Sequence, residues 1–421
     1  MESSALEIEI TCMGEEKINV AESCIRNVES PVLDSMLEDY RVSGIFPMPY
    51  PFRQISQVIS FIRGQSLRLE SLRNAMDIYG ICKRYRIEKL FIECQSFIIY
   101  ELNLSNVCRI HDFACEQVDR ILQYCCWEFF DEKWEEIFLG DDFLQCKRTT
   151  IDRLLSRPVY KSLTEVSLFL AIYNWVKVRL HRQAELSGEF PLNDATQKER
   201  CRINMEPFIP RIRFLAMSAE ELRNVVIPLN CLSEVEEQCI RSGWALFKEE
   251  NFLNHLCSDR RKRNESNFTE WFVYEKRAPY TPGDSDLISI FSTQIKVMED
   301  CFVKTLKLPL YHSHRGNIPL NIEGYLNFAS NLLKSQKEFC KPNGSVDLSF
   351  PIFVEKNSSL RLSVLFNVEA VRNLYETPLN IHSATHKFFS RFDPDARTFE
   401  ESLGLQENQF YNVYFDVVLY F

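Results

Sequence analysis

Glycine and histidine are scarce in this chain, at 12 and 7 of 421 residues. Neither G-x-G-x-x-G nor G-x-x-x-x-G-K-[ST] occurs, so the glycine loops that let a backbone approach phosphate are missing. No nucleophile beside a base and no pair of acids at useful spacing stands out either. A non-enzyme that needs no cofactor is the expectation. Positive charge is also short: 49 Lys and Arg face 59 Asp and Glu, for a net charge of −10 and a pI of about 5.4. That balance argues against nucleic acid held through its phosphates. No apolar run approaches the roughly 18 residues that span a bilayer, so no membrane association is expected. The first residues, Met1-Glu2-Ser3-Ser4-Ala5-Leu6, carry neither the basic region nor the apolar core of a signal peptide. The 15 cysteines are odd in number and scattered through helical patterns, which suits reduced, buried thiols in the cytoplasm or nucleus. Adjacent Cys125-Cys126 is the one pair a redox role would use.

What is present is ample core material, with 45% apolar and 26% charged residues, and length for about two or three domains. Leu6–Thr11 alternates apolar and acidic residues and reads as a half-buried strand, with Lys17–Val20 as its return. Arg26–Tyr40 reads as a short helix. Ser30 caps it, Pro31 takes its first position and Asp34 sits near the positive end of its dipole. Val32, Leu33, Met36, Leu37 and Tyr40 give it an apolar face, and Met36-Leu37-Glu38-Asp39 reads as its tip. Ile45–Pro49 is a proline-broken extended piece and Gln65–Leu69 a second one. Phe52–Ile62 and the segments after Ser71 and Ile87 carry helical stripes. Strands followed by helices imply an α+β domain over 1–103.

Residues 104–257 read as nearly all helix, in segments 105–116, 117–129, 131–138, 147–156, 164–181 and 218–225, with Ser187–Arg200 as a surface loop. Ser258–Ser266 is highly charged and reads as a solvated linker. Its Arg260-Arg261-Lys262-Arg263 is less well explained as a nuclear-localisation patch. From 267 to 421 the texture is that of strands. Ser359–Phe366 and Asn412–Phe421 alternate, Leu287–Ile295 does so less cleanly, and prolines and glycines punctuate the rest. An all-β sandwich is the expectation there. His312-x-His314 and His382-x₃-His386 lie in this part without a cysteine cluster at ligand spacing. They read as loop histidines, and no metal is expected.

Several of these segments carry a resemblance. Ser30-Pro31-Val32-Leu33-Asp34-Ser35-Met36-Leu37 resembles the "S-P-V-F-x-x-M-F" helix of BTB (POZ) domains, and Ile78–Tyr85 resembles the helix before that domain's last helical hairpin. Leu104-Ser105-Asn106-Val107 is similar to the "T-x-x-N-V" start of BACK domains, and Cys126 to their recurrent cysteine. Phe143-Leu144, Leu154-Leu155-Ser156 and Glu165–Val176 follow the same family's series, and Ile212–Leu222 its "V-R-F-P-L-M-S-P-E-E-L" signature. The chain departs from the BTB pattern at Glu22-Ser23, where a His-Lys pair is usual, and in the first strand, where Glu7 and Glu9 replace an aspartate.

The resemblance implies a multidomain chain: an α+β BTB domain over 1–103, an all-α BACK domain over 104–257, a linker over 258–266 and a sandwich over 267–421. A third domain of kelch blades does not fit, because there is no Gly-Gly pair and six blades would exceed the length. A PHR-like or TRAF-like sandwich does. The resemblance further implies a non-catalytic substrate adaptor of a cullin three ubiquitin ligase. A bulky apolar residue, any residue and then Glu form that family's cullin contact, which falls here on Met36, Leu37 and Glu38. The C-terminal domain would hold a protein substrate, and the BTB domain would also support a homodimer. The alternative is a BTB-mediated scaffold or transcriptional co-regulator without ligase function.

Overall fold

The computed structural model describes residues 6–188, 194–246, 256–264, 290–296, 300–308, 317–326, 332–366 and 416–420. The chain divides into two compact units, Met1–Thr150 and Ile151–Phe421, so the division falls inside the helical stretch rather than at its start.

The first unit begins with a three-stranded sheet in the order β2-β1-β3. Strand β1 (Glu7–Met13) buries Ile8, Ile10 and Cys12 and turns Glu7 and Glu9 outward, as its period-two pattern requires. Strand β2 (Lys17–Ala21) returns antiparallel to it, and β3 (Phe46–Pro51) runs parallel to it. Between β2 and β3 lie α1 (Glu22–Arg26) and α2 (Pro31–Ser43). Four helices follow, α3 (Phe52–Ile62), α4 (Leu72–Tyr85), α5 (Glu88–Tyr100) and α6 (Val107–Glu116). Gln65–Leu69 is not a strand: residues 65–70 have no regular structure. They are held by side chains instead, with Gln57 Nε2 donating to the Arg68 carbonyl at 3.2 Å.

Helix α7 (Arg120–Leu139) is two helical segments joined at a kink, as expected, with the break at the non-helical Lys133 (φ −132°, ψ 20°). Its start is a junction. Asp119 Oδ1 accepts from Leu122 N at 3.0 Å, and Oδ2 accepts from Gln95 Nε2 at 2.7 Å and from the buried Tyr79 hydroxyl. One carboxylate therefore caps α7 and ties it to α4 and α5. Helix α8 (Asp141–Gln145) completes the unit, and α9 (Arg148–Ser156) crosses into the next.

The second unit continues with α10 (Glu165–Ser187), capped by Thr164, and α11 (Asp194–Met205). The latter takes up residues 194–200 of the expected surface loop. A short α12 (Ala219–Glu221) opens with a reciprocal capping box between Ser218 and Glu221, and α13 (Glu234–Leu246) follows.

Residues 258–264 are not a solvated linker. The Arg263 side chain is 3% exposed: its Nε pairs with Glu165 Oε2 at 2.9 Å, and its other donors reach the carbonyls of Leu155, Arg157 and Arg211. Its own carbonyl accepts from Tyr160 N at 2.9 Å. Beside it, Arg213 reaches Asp259 at 3.4 Å and the Arg261 carbonyl at 3.0 Å. Burial, and then the charge of Arg263, push the Arg213 guanidinium below its usual value. Burial alone would raise the Asp259 carboxyl. Hydrogen bonds from Arg261 and the charge of Arg213 outweigh it and hold the group below the usual carboxylate range. With Arg263 locked inside, these residues do not form a four-residue exposed basic patch.

The remaining strands form two small antiparallel sheets. One has the order β4-β9-β6-β7, from β4 (Ile290–Lys296), β6 (Ile318–Leu326), β7 (Leu332–Cys340) and β9 (Ser359–Phe366). The other has the order β10-β5-β8, from β5 (Cys301–Lys307), β8 (Ser345–Val354) and β10 (Asp416–Tyr420). Leu360, Leu362 and Val364 are buried and Arg361 is exposed, as their alternation requires. The sheets touch at Gly324 of β6, where an added Cβ would lie 3.6 Å from Ile352 of β8.

Candidate functional site

Helix α2 is fixed at both ends by its sequence. Ser30 Oγ accepts from Leu33 N at 3.1 Å and donates to the Tyr85 carbonyl, and Pro31 occupies the first turn. Gly44 stops the helix in the left-handed region (φ +66°), with its N–H on the Tyr40 carbonyl. The helix therefore runs on to Ser43, and Met36–Asp39 is its middle rather than its tip. Of the three residues assigned to partner contact, Leu37 is 1% exposed and belongs with Leu33 to the core. Met36 is half-buried, while Glu38 and Asp39 are exposed. Tyr40 meets Phe46 of β3 edge-on at 6.2 Å, which pins the inner side of the helix to the sheet.

Glu38 does not stand alone. Its Oε1 lies 3.2 Å from Arg26 Nη2 and its Oε2 2.9 Å from Arg41 Nη1. Both guanidiniums also hold Glu22 Oε1, Arg26 at 2.7 Å and Arg41 at 2.9 Å. Glu22, Arg26, Glu38 and Arg41 thus close a ring of alternating charge between α1 and α2. Hydrogen bonding from Arg26, with the charge of Arg41 behind it, holds the Glu22 carboxyl below its usual range. Glu22 entered the sequence reading only as a departure from the BTB pattern, and Arg41 not at all. Two local spacings signal the ring, Glu22-x₃-Arg26 and Glu38-x₂-Arg41. Its closure between helices has no sequence signal.

The first unit holds one arrangement with the residue types of hydrolytic chemistry. His111 Nδ1 lies 2.7 Å from Thr150 Oγ1, which lies 2.7 Å from Asp112 Oδ1. Thr150 spends its single proton on Asp112, so Nδ1 carries the hydrogen between His111 and Thr150. Asp112 also accepts from Lys147 N at 2.7 Å, and His111 lies 4.4 Å from the Trp127 ring. His111 and Thr150 are fully buried. The trio ties α6 to the start of α9 and offers no exposed nucleophile. The 15 cysteines are free thiols. Burial, with Glu128 nearby, pushes Cys125 up to about 11, and burial raises Cys126 well above its ordinary value. Protonated thiols of this kind do not support redox use of the pair.

Among the described residues, no group of three or more His, Cys, Asp or Glu is arranged to hold a metal, and no helix is long and apolar enough to cross a membrane. His312, His314, His382 and His386 lie outside the described residues.

Residues 107–189 match the family model BACK, described as BTB And C-terminal Kelch. A 131-residue stretch is 24% identical to BTB/POZ domain-containing protein 9 of Drosophila melanogaster, covering 31% of this chain and 18% of that relative. The chain thus spans less than a fifth of that protein's length. These two findings show a likeness to BTB and BACK proteins over part of the chain. That likeness turns attention to the exposed side of α2.

Proposed function

We propose that this chain is a non-catalytic substrate-recognition adaptor of a cullin three RING ubiquitin ligase. One observation carries the reading: in a chain with a BACK match, Met36 and Glu38 reach the surface of a firmly capped helix at the spacing of the cullin contact. Met36 supplies an adaptable apolar surface and Glu38 a directional charge, a combination suited to a small hot spot. The two touching C-terminal sheets support a sandwich of the PHR or TRAF type as the substrate arm. The adaptor would accelerate transfer by holding a substrate lysine near the loaded enzyme. Self-association through the first domain and a cytoplasmic and nuclear location complete the proposal.

Calorimetry of the full chain against the cullin three N-terminal domain tests it, beside a Met36→Ala/Glu38→Ala double variant whose fold is checked by melting. Submicromolar binding lost in the variant is expected. A folded chain that binds neither as wild type nor with its Glu38-pairing arginines replaced sinks the reading. A scaffold or co-regulator without ligase function would then take its place. The capture of both Glu38 oxygens by arginines is the observation that favours this second reading.

A further inference from the structure

We propose that the Glu22–Arg26–Glu38–Arg41 ring is an autoinhibitory lock on the surface of α2: a partner reaches Glu38 only by displacing Arg41 and Arg26. This rests on the cullin reading of that helix. Each oxygen of Glu38 already accepts from a guanidinium, Oε1 at 3.2 Å and Oε2 at 2.9 Å. Within the ring each carboxylate is matched by a guanidinium, so an approaching donor meets a carboxylate whose two oxygens are already engaged. Glu22 makes the arrangement persistent. Its side chain is 14% exposed, against 59% for Glu38, and it grips both arginines from below. Arg26 is held further by Asp34 at 3.8 Å. The residue types that replace the usual His-Lys pair in this chain thus bear directly on the proposed contact. The partner that fits must bring its own cation or strong donor to Glu38 while covering Met36.

Exposed ion pairs are individually weak, so opening the ring should cost about three- to tenfold in affinity. The test is calorimetry of the full chain and its R41Q and R26Q variants against the cullin three N-terminal domain. R202Q serves as a matched charge control on the exposed Arg202 of α11, and melting verifies each fold. R41Q and R26Q are expected to bind about three- to tenfold tighter than wild type, with R202Q unchanged. Binding by R41Q where wild type shows none would support the lock more strongly still. Wild-type binding that R41Q and R26Q weaken or leave unchanged overturns the lock and leaves the cullin contact standing. No binding by wild type or either variant removes the cullin reading and the lock with it.

Discussion

Arg263 shows how misleading a single residue's composition context can be. It closes a run of four basic residues, the pattern of a solvated surface, yet its guanidinium is buried against one carboxylate and three carbonyls. All of its bonds join residues 52 to 108 positions away. Removing one member of such a pair leaves the other charged, buried and unpaired, whereas removing an exposed charge leaves it in water. Arg263→Ala is therefore expected to destabilise the protein by about 3–5 kcal/mol through loss of the partner of Glu165. The neighbouring Arg261→Ala, whose side chain is 58% exposed, should cost less than about 1 kcal/mol. Urea denaturation of the two variants separates them, and similar midpoints would mean that the buried pair is not formed in solution.

At the scale of elements, the shortage of glycine has a structural counterpart. Helix α6 ends in a Schellman motif, with Asp119 N bonded to the Ala114 carbonyl at 2.8 Å and Val118 N to the Cys115 carbonyl at 3.1 Å. The left-handed position is Val118 (φ +52°) rather than glycine. A β-branched residue is strained there, and its side chain is 64% exposed, so little packing offsets the strain. Val118→Asn should raise stability by about 0.5–1 kcal/mol, seen as a higher urea midpoint with the same slope. A lower midpoint would show that the valine side chain contributes more than its exposure implies. Where local chemistry decides the structure, it was legible: Ser30, Pro31 and Gly44 bound α2, and the alternations of Ile8-Ile10 and Leu360-Leu362-Val364 chose the buried faces. The helical stripes of α3 to α6 were legible for the same reason. Elements held by distant groups were not. Residues 65–70 are organised by Gln57 and Asn74, and the polar sequence of α11 has no apolar stripe to announce it. The candidate site divided the same way, with Met36 and Glu38 readable along α2 and their arginine partners set by the pairing of two helices.

At the scale of the whole molecule, the non-helical residues 258–264 pack against the helical region rather than leaving it at Cys257. Residues 258–264 contribute Arg263 to Glu165, Asp259 to Arg213 and a backbone bond from Tyr160, so a chain stopped at 257 leaves Glu165 and Arg213 buried without those partners. A fragment of residues 1–264 should therefore be more stable than one of 1–257 by about 3 kcal/mol or more. Asp259 gives part of that difference a pH dependence. Its folded carboxyl lies below the ordinary value, so its contribution is fully present above the unfolded pKa of about 4 and fades as pH falls through the folded one. The Glu165–Arg263 pair contributes at neutral pH together with it. Urea midpoints of the two fragments at pH 7 and at pH 3 measure both effects. A wide gap at pH 7 that narrows at pH 3 places the boundary after Asn264, and equal midpoints at pH 7 would return residues 258–264 to the solvent.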